Sequence, residues 1–496
     1  MSKIMKIHPM DTVAVALDTL LPGEILQLDG EIRVRDTIKK GHKVALKPIR
    51  AGEEVLKYGY PIGRASCDIV PGTWVHTHNL RTGLEGLLDY EYRPCFEETE
   101  PAGEFTETFD GFMREDGQVG IRNDIWIINT VGCVNKLAET LARKANALFG
   151  ERNTDGIYAF PHPHGCSQLG EDHRNTQRIL KGLVHHPNAG GVLVLGLGCE
   201  NNNIEEFKKI LGSYNEDRVK FLNSQDVNDE VEEGLKLLGH LVEYAEGFER
   251  RPVPVSKLKV GLKCGGSDAF SGITANPLVG AFSDMLTLRG GTAVLTEVPE
   301  MFGAETILMN RCISREVFQK TVDMINNFKK YFMRYGQPIY ENPSLGNKEG
   351  GITTLEEKSL GCIQKGGTGV VVDVLEYGAQ AVKQGLNLLN GPGNDMVSVT
   401  ALAAAGVHLV LFTTGRGTPM GGPVPTVKIA TNNDLAERKK NWIDFNAGVL
   451  LEGKDLNVLK QELFEYVLDV ASGRRKTQNE INDYREITIF KDGVTL

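Results

Sequence analysis

Residues 189–203 read AGGVLVLGLGCENNN: a run of glycine and apolar side chains that turns polar after a cysteine. A strand with apolar residues on both of its faces must be covered on both, so this segment demands a layered sheet with helices on either side. The unit recurs. DIWIINTVGC is followed by VNKLAETLARKANALF, whose apolar residues are three and four apart, and TDGIYAFPHPHGC is followed by HRNTQRILKGLVHH. After 189–203 come a helix at IEEFKKILG, a strand at RVKFLNS and a long helix at DVNDEVEEGLKLLGHLVEYAEGF. A further set (KLKVGLKCGGSD, GTAVLTEVPE, LNLLNGPG and HLVLFTTGRGTP) repeats the pattern of an apolar strand ending in a Gly-rich or polar loop. Active sites of open α/β sheets gather beyond the carboxyl ends of their strands, so these loops are where chemistry is expected.

The 496 residues exceed one ordinary core and divide by composition. Residues 1–95 carry short alternating runs between turn signals such as LPGE and IVPGT, which predicts a small β-rich, barrel-like or clip-like domain. Residues 96–111 gather acids and prolines and read as a linker. An α/β domain is expected over 112–250, and a C-terminal α/β catalytic domain over 251–496. The fold class is thus α/β, with a small N-terminal domain and a large two-part body.

A net charge of −10 and the lack of basic runs interleaved with aromatics exclude a nucleic-acid role and a membrane-surface role. No stretch has the length of a membrane span, and the N-terminus lacks the apolar core of a signal peptide, which predicts a cytoplasmic protein. Eight cysteines are too few for a disulfide framework and should be thiols there. Five of them, Cys133, Cys166, Cys199, Cys264 and Cys362, adjoin glycine at expected strand ends or loops. That favours one composite site over independent packing of each thiol.

The loops are rich in candidate ligands and acid–base groups. His162 and His164 share a face of an extended segment and, with Cys166 or a carboxylate, have the donor types of a borderline divalent ion; the alternative is that they hold loops through backbone carbonyls. His76 and His78 repeat the H-x-H spacing in WVHTHN of the small domain, which predicts that this domain lies against the catalytic body. Glu171, Asp172 and His173 follow the first group, Glu200 follows Cys199, and Glu297 and Glu300 bracket VPE at a strand end. Arg122, Lys365 and Arg416 are cationic anchors, and Arg416, among glycines, suits a two-point grip on a carboxylate. Nucleotide, nicotinamide and serine-hydrolase fingerprints are absent.

The stretches VGIRNDIWIINTVGCVN, HGCSQLGEDH, VLVLGLGCENN, CGGSDAFSGITANPLVG, LTEVPEMFGAE, NPSLGNKEGGITTLEEKSLGC and TTGRGTPMGG resemble the altronate/galactarate dehydratase family. So do YGYPIG and VHTHN near the start and NDYREITIFKDGVTL at the end, so the resemblance runs the whole length. It implies an N-terminal SAF-type (β-clip) domain and a hydro-lyase activated by Fe²⁺ or Mn²⁺. The reaction implied is D-altronate to 2-dehydro-3-deoxy-D-gluconate in hexuronate catabolism, with galactarate or a related sugar acid as the alternative substrate. Abstraction of the weakly acidic C2 proton needs a cation, or an Arg or Lys clamp, for the charge that develops beside the carboxylate. The expected metal ligands are drawn from His76, His78, His162, His164, Cys166 and Cys199. The expected catalytic groups are His164, His173, Glu200, Glu297 and Arg416. The rival cofactor is an iron–sulfur cluster on three or four of the five glycine-flanked cysteines. The rival function is non-catalytic sugar-acid binding, and a homodimer is the expected assembly.

Overall fold

The computed structural model describes residues 2–28, 30–96, 105–150 and 152–495. Within the expected linker, 97–104 lie outside the described residues. Its last residues are not loop: Thr108–Met113 is a strand paired antiparallel with Arg250–Pro254, which closes the first α/β unit at its base.

The N-terminal unit is wholly antiparallel. Ile4–Met5, Val13–Ala16, Lys43–Ala45 and Trp74–Val75 make one sheet, and Glu54–Lys57, Tyr60–Ala65 and Leu80–Arg81 make a second. Strands this short do not build an independent large core. Their apolar side chains Val13, Ala45, Val55, Ile62 and Val75 instead join Leu355, Leu360, Met301 and Phe302 of the C-terminal body in one cluster.

The second unit has four parallel strands: β1 (Asp124–Asn129), β2 (Ile157–Phe160), β3 (Ala189–Gly196) and β4 (Val219–Asn223), in the spatial order β2-β1-β3-β4. Period-two alternation sorts their side chains onto two faces. Trp126, Ile128, Val192 and Val194 enter one core, while Ile125, Ile127, Leu193 and Leu195 enter the other. Each such burial is worth about 1.5–3 kcal/mol, which is why the near-continuous apolar run at 189–196 is needed. Helix α1 (Asn135–Phe149) covers the second face with Ala138, Leu141, Ala142 and Ala145, the three-and-four spacing seen in its sequence. Helix α2 (Gly170–Val184) and helix α3 (Ile204–Leu211) cover the first; α2 starts three residues earlier than HRNTQRIL suggests, so Glu171, Asp172 and His173 lie in its first turn, not in a loop.

The third unit is a seven-stranded parallel sheet. In chain order its strands are β5 (Lys259–Cys264), β6 (Thr292–Leu295), β7 (Val371–Leu375), β8 (Gly385–Leu389), β9 (Leu409–Thr414), β10 (Thr426–Ala430) and β11 (Phe445–Asn446). The spatial order is β7-β8-β6-β5-β9-β10-β11, so the direction of winding reverses between β5 and β9. The strands β7, β10 and β11 carry no glycine-rich signature and are not evident from the sequence. Helix α5 (Asp395–Ala404) packs against α2, and the two α/β bodies share a core there. A Cβ on Gly182 of α2 would lie 2.4 Å from the Ala404 carbonyl oxygen, so glycine is what allows the two helices to approach. Among the described residues no helix is long and apolar enough to cross a membrane.

Candidate metal and active site

The reversal of winding between β5 and β9 opens a crevice at their carboxyl ends, and a dense group of reactive side chains stands beside it. Strand β5 ends at Cys264. The chain leaving β6 turns sharply through Glu297, a non-glycine residue at φ 73°, ψ 58°, before the 3₁₀ turn Val298–Met301 that carries Glu300. A left-handed backbone at such a residue costs about 1–3 kcal/mol and is retained where surrounding contacts over-determine it. Here the contacts are the Glu297 carboxylate itself, which accepts from the Cys264 backbone N–H at 3.1 Å and pairs with Lys263 and with Lys365 at 3.2 Å. Helix α4 (Leu355–Cys362), buried along its whole length, brings Lys358 and Cys362 to the same point.

The Sγ atoms of Cys264 and Cys362 are 3.3 Å apart, and Glu300 Oε2 lies 3.3 and 3.0 Å from them. These three donors form a buried group, all within 4.8 Å of one another. Two sulfurs and one carboxylate oxygen suit a borderline divalent ion. The surrounding charges support an anionic donor set. Burial opposes ionisation of Glu300, but the ammonium groups of Lys358, Lys263 and Lys365 outweigh it and hold its carboxyl well below the usual carboxylate range. The hydrogen bond shared with Cys264, burial and the neighbouring negative charges push the Cys362 thiol well above its ordinary value, against the opposing pull of Lys365. A bound cation would reverse that balance.

The lysines are fixed. Lys358 Nζ donates to Asn342 Oδ1 (2.9 Å) and Asn347 Oδ1 (3.2 Å) and pairs with Glu300 (2.9 Å). Lys263 Nζ meets the Cys264 carbonyl (2.7 Å), Glu297 and Asp395 (2.9 Å). Each thus uses all three of its N–H groups on protein acceptors. Beside the cluster lies a cavity of about 490 Å³ lined by Cys264, Glu300, Asn342, Ser344, Lys348 and Asp395 among others. Its walls are mostly amide, hydroxyl and charged groups, which suits a polyhydroxylated anion.

The small domain buttresses this site from behind. Glu357 of α4 accepts from Lys43 and Lys57, both at 2.8 Å, and all three side chains are buried. Those two ammonium groups overcome the cost of burial and bring the Glu357 carboxyl down to about 2. Burial brings Lys43 down to about 8. The next residue back, Glu356, accepts from Thr82 Oγ1 (2.9 Å) and the Gly83 N–H (2.6 Å). The docking expected from WVHTHN is present, but its histidines take part as packing groups. His76 Nδ1 bonds Thr353 Oγ1 at 2.8 Å, its ring stacks on Trp74, and burial brings its pKa to about 3. His78 is exposed beside Trp74.

The other expected site residues lie on the four-stranded sheet. His162 has both ring nitrogens committed: Nε2 meets the Asn129 carbonyl at 2.8 Å and Nδ1 accepts from the His164 N–H at 3.2 Å. No lone pair is left for an ion, so His162 ties the β2 loop to β1. His164 is buried, with Gln168 Nε2 3.4 Å from its Nδ1. Glu200 accepts from Thr130 Oγ1 (2.6 Å) and from the Leu197 (3.1 Å) and Gly198 (2.7 Å) N–H groups, so it braces its own loop. His173 is half-buried on α2. Cys166 and Cys199 are exposed on the loops after β2 and β3. Arg416, after β9, donates to the Gly346 carbonyl (2.8 Å) and pairs with Glu349 (3.3 Å), and so holds the segment that lines the cavity. Arg122 is buried in a fork with Glu480, far from an anchor's duty.

The composite site expected from five cysteines is therefore two separate groups. Cys264 and Cys362 meet in the buried cluster, whereas Cys133, Cys166 and Cys199 are exposed on the other sheet. Of the carboxylates expected at a strand end, Glu297 and Glu300 both reach the cluster, as does Lys365, whose Nζ lies 2.9 Å from Cys264 Sγ. Lys263, Lys358 and Asp395 were not singled out by their sequence context. A lysine inside a buried strand (VGLKC) is the one signal that marks Lys263, since a buried ammonium requires paired carboxylates.

The comparisons agree with this architecture. Residues 2–83 match the altronate/galactarate dehydratase SAF domain, 111–246 the D-galactarate dehydratase/altronate hydrolase second domain, and 255–495 the D-galactarate/altronate dehydratase C-terminal domain. The altronate dehydratase of Bacillus subtilis (strain 168) is 54% identical over 100% of both chains. That of Escherichia coli (strain K12) is 52% identical over 99% of both. The galactarate dehydratase (L-threo-forming) of Escherichia coli (strain K12) is 33% identical over 95% of this chain and 93% of its own. With its SAF domain, its two α/β bodies and end-to-end identity to these enzymes, the chain belongs to the altronate/galactarate dehydratase family.

Proposed function

We propose that this protein is a hydro-lyase that converts D-altronate to 2-dehydro-3-deoxy-D-gluconate and water, with Fe²⁺ or Mn²⁺ held by Cys264, Glu300 and Cys362. The observation that carries the reading is the cluster of two thiols and one carboxylate beside a polar cavity, in a chain 54% and 52% identical over its full length to two altronate dehydratases. Identity to the galactarate enzyme is lower, at 33%, which favours the aldonate over the aldarate.

When bound, a divalent ion would supply Lewis-acid stabilisation of the negative charge that develops as the C2 proton leaves. The protein's own groups do the rest. Lys348 and Asn342 line the cavity and suit the substrate carboxylate and hydroxyls. Asp395 is the base: one of its oxygens is held by Lys263 at 2.9 Å, and its side chain is 39% exposed where it lines the cavity. It removes the C2 proton and passes it to the C3 hydroxyl, which departs as water; the resulting enol takes a proton from solvent at C3 and releases its C2 hydroxyl proton to solvent, giving the 2-keto acid. Lys358 and Lys263 have no free donors and serve to position Glu300 and Asp395.

The test is a panel of aldonates and aldarates given to the purified protein with Fe²⁺ or Mn²⁺ and no nicotinamide. D-Altronate should yield the keto-deoxy acid fastest. Faster turnover of galactarate would overturn the substrate assignment and leave the reaction class standing, and no product from any sugar acid would overturn both.

A further inference from the structure

Five exposed thiols remain unused, and the placement of three of them is systematic. Cys133 follows β1, Cys166 follows β2 and Cys199 follows β3, at the carboxyl ends of three neighbouring strands. The winding of this sheet reverses between β1 and β3, so the three loops surround the position where an open α/β sheet binds its ligand. The loops are also stitched together. The Gly132 N–H donates to the His164 carbonyl at 2.9 Å, the Asn202 N–H to the Gly165 carbonyl at 3.0 Å, and Asn202 Nδ2 to the Thr130 carbonyl at 3.1 Å.

Each cysteine is preceded by a glycine, and the packing explains two of them. A Cβ on Gly132 would lie 2.7 Å from the His162 carbonyl oxygen, and one on Gly165 would lie 1.9 Å from that of Thr130. Close approach of the loops is therefore built into the chain, and a cysteine follows directly at each approach. His162 and Glu200, which brace the same loops, hold them in place. Exposed thiols are oxidation-prone, and three at equivalent strand ends have no packing role that smaller polar residues would not fill.

We propose that Cys133, Cys166 and Cys199 hold an iron–sulfur cluster, separate from the Cys264–Glu300–Cys362 group. A cluster, more than a single ion, suits thiols carried on three separate loops. Among the described residues the donor atoms of Cys264, Glu300 and Cys362 are the one group of three within 4.8 Å of one another, so at least one pair of the exposed sulfurs stands farther apart than that. A tetrahedral ion with bonds of about 2.3 Å draws its thiolates to within about 4 Å of each other. A cluster spreads them, because its own sulfides separate the iron atoms, and thiolate ligation is what such clusters require. The three thiols lose their protons to solvent as they bind, and three ligands leave one iron of a four-iron cluster open to water or an oxygen ligand.

The experiment uses the full chain, purified without oxygen and reconstituted with equal amounts of Fe²⁺ and Fe³⁺ and with sulfide, which together supply the two ferrous and two ferric ions of a four-iron cluster. Acid-labile sulfide, iron and visible absorption are then measured in the wild type and in Cys133→Ser, Cys166→Ser, Cys199→Ser and Cys264→Ser. The expected result is iron and sulfide in near-equal amounts in the wild type and in Cys264→Ser, with sulfide falling to background in each of the other three. These positions are exposed, and unchanged circular dichroism establishes that the variants fold. A wild type with no labile sulfide, iron or zinc bound without sulfide, or a cluster lost in Cys264→Ser but kept in the other three would each overturn the proposal. None of these readouts depends on turnover of a sugar acid, so failure here is distinct from failure of the dehydratase reading.

Discussion

Cys264 Sγ and Cys362 Sγ stand 3.3 Å apart as free thiols, one at the end of a central strand and the other at the end of a buried helix 98 residues later. Only a small further approach separates this contact from the ~2.05 Å of a disulfide. Cys264 lines the cavity, so a small oxidant has access to it. One peroxide should take two electrons and two protons from the pair, giving cystine and two waters. The expected outcome is loss of bound metal and of activity together, restored by a dithiol, with one disulfide mapped to these two cysteines by mass spectrometry. A disulfide at other positions, or activity retained with the pair oxidised, would count against the site.

Removal of a donor should remove the ion. Cys264→Ser, Cys362→Ser and Glu300→Gln are expected to abolish stoichiometric Fe²⁺ or Mn²⁺ binding at the buried group. Lys358→Met leaves the donors in place but frees Glu300 from its partner at 2.9 Å. A loss of roughly 10–100-fold in metal affinity is expected, the usual scale for a group that orients a ligand. Equilibrium dialysis on the full set distinguishes the two classes.

Asp395→Asn keeps the contact with Lys263 in shape but removes the base. Turnover should fall by about 10²–10⁴-fold, with metal content unchanged, and exchange of the substrate C2 proton with deuterated solvent should fall alongside it. Exchange at the wild-type rate would assign proton abstraction to another group.

The Glu357 carboxylate links pH to the docking of the small domain. Its folded value of about 2 lies below the usual ~4.3, so the stabilisation it provides is complete above that ordinary value and is lost as pH falls towards 2. Glu357→Gln should flatten the stability profile in this acid window. At neutral pH it should cost about 3–5 kcal/mol, since Lys43 and Lys57 are left as buried unpaired cations. Thermal unfolding between pH 2 and 7, with and without the substitution, checks both effects; the same variant should also weaken metal binding, because Glu357 sits on the helix that carries Cys362.

His162→Ala should disturb the loop network and not the buried cluster. The Asn129 carbonyl and the His164 N–H both lose their partner, at a cost of about 1–3 kcal/mol. Metal bound at Cys264, Glu300 and Cys362 should be unchanged. Loss of that metal would place His162 among its ligands after all.

Local sequence was sufficient to define the alternation of buried strands and amphipathic helices, because period-two and period-3.6 patterns act over a few residues. It located the β-rich N-terminal unit, the strands ending at Asn129, Gly196, Cys264, Leu389 and Thr414, and the polar loops beyond them. The strand at 371–375 stayed hidden because its pattern is short and ambiguous, and the one at 108–113 because it borders an acidic segment. The active-site chemistry was only partly visible. Glu297, Glu300 and Lys365 could be named from their strand-end positions, but His162 of HPHGC has the same local signature and turns out to hold a loop. What separates the two is the order of strands in each sheet, and that depends on pairings between residues far apart in the chain. Cys264 and Cys362 meet only because α4 is pressed between the small domain and the seven-stranded sheet, with Glu357 held on one side and Lys358 on the other. The sequence by itself determined which residue types stand at the loop ends, whereas burial and long-range pairing, which no local pattern encodes, decided which of them share a site.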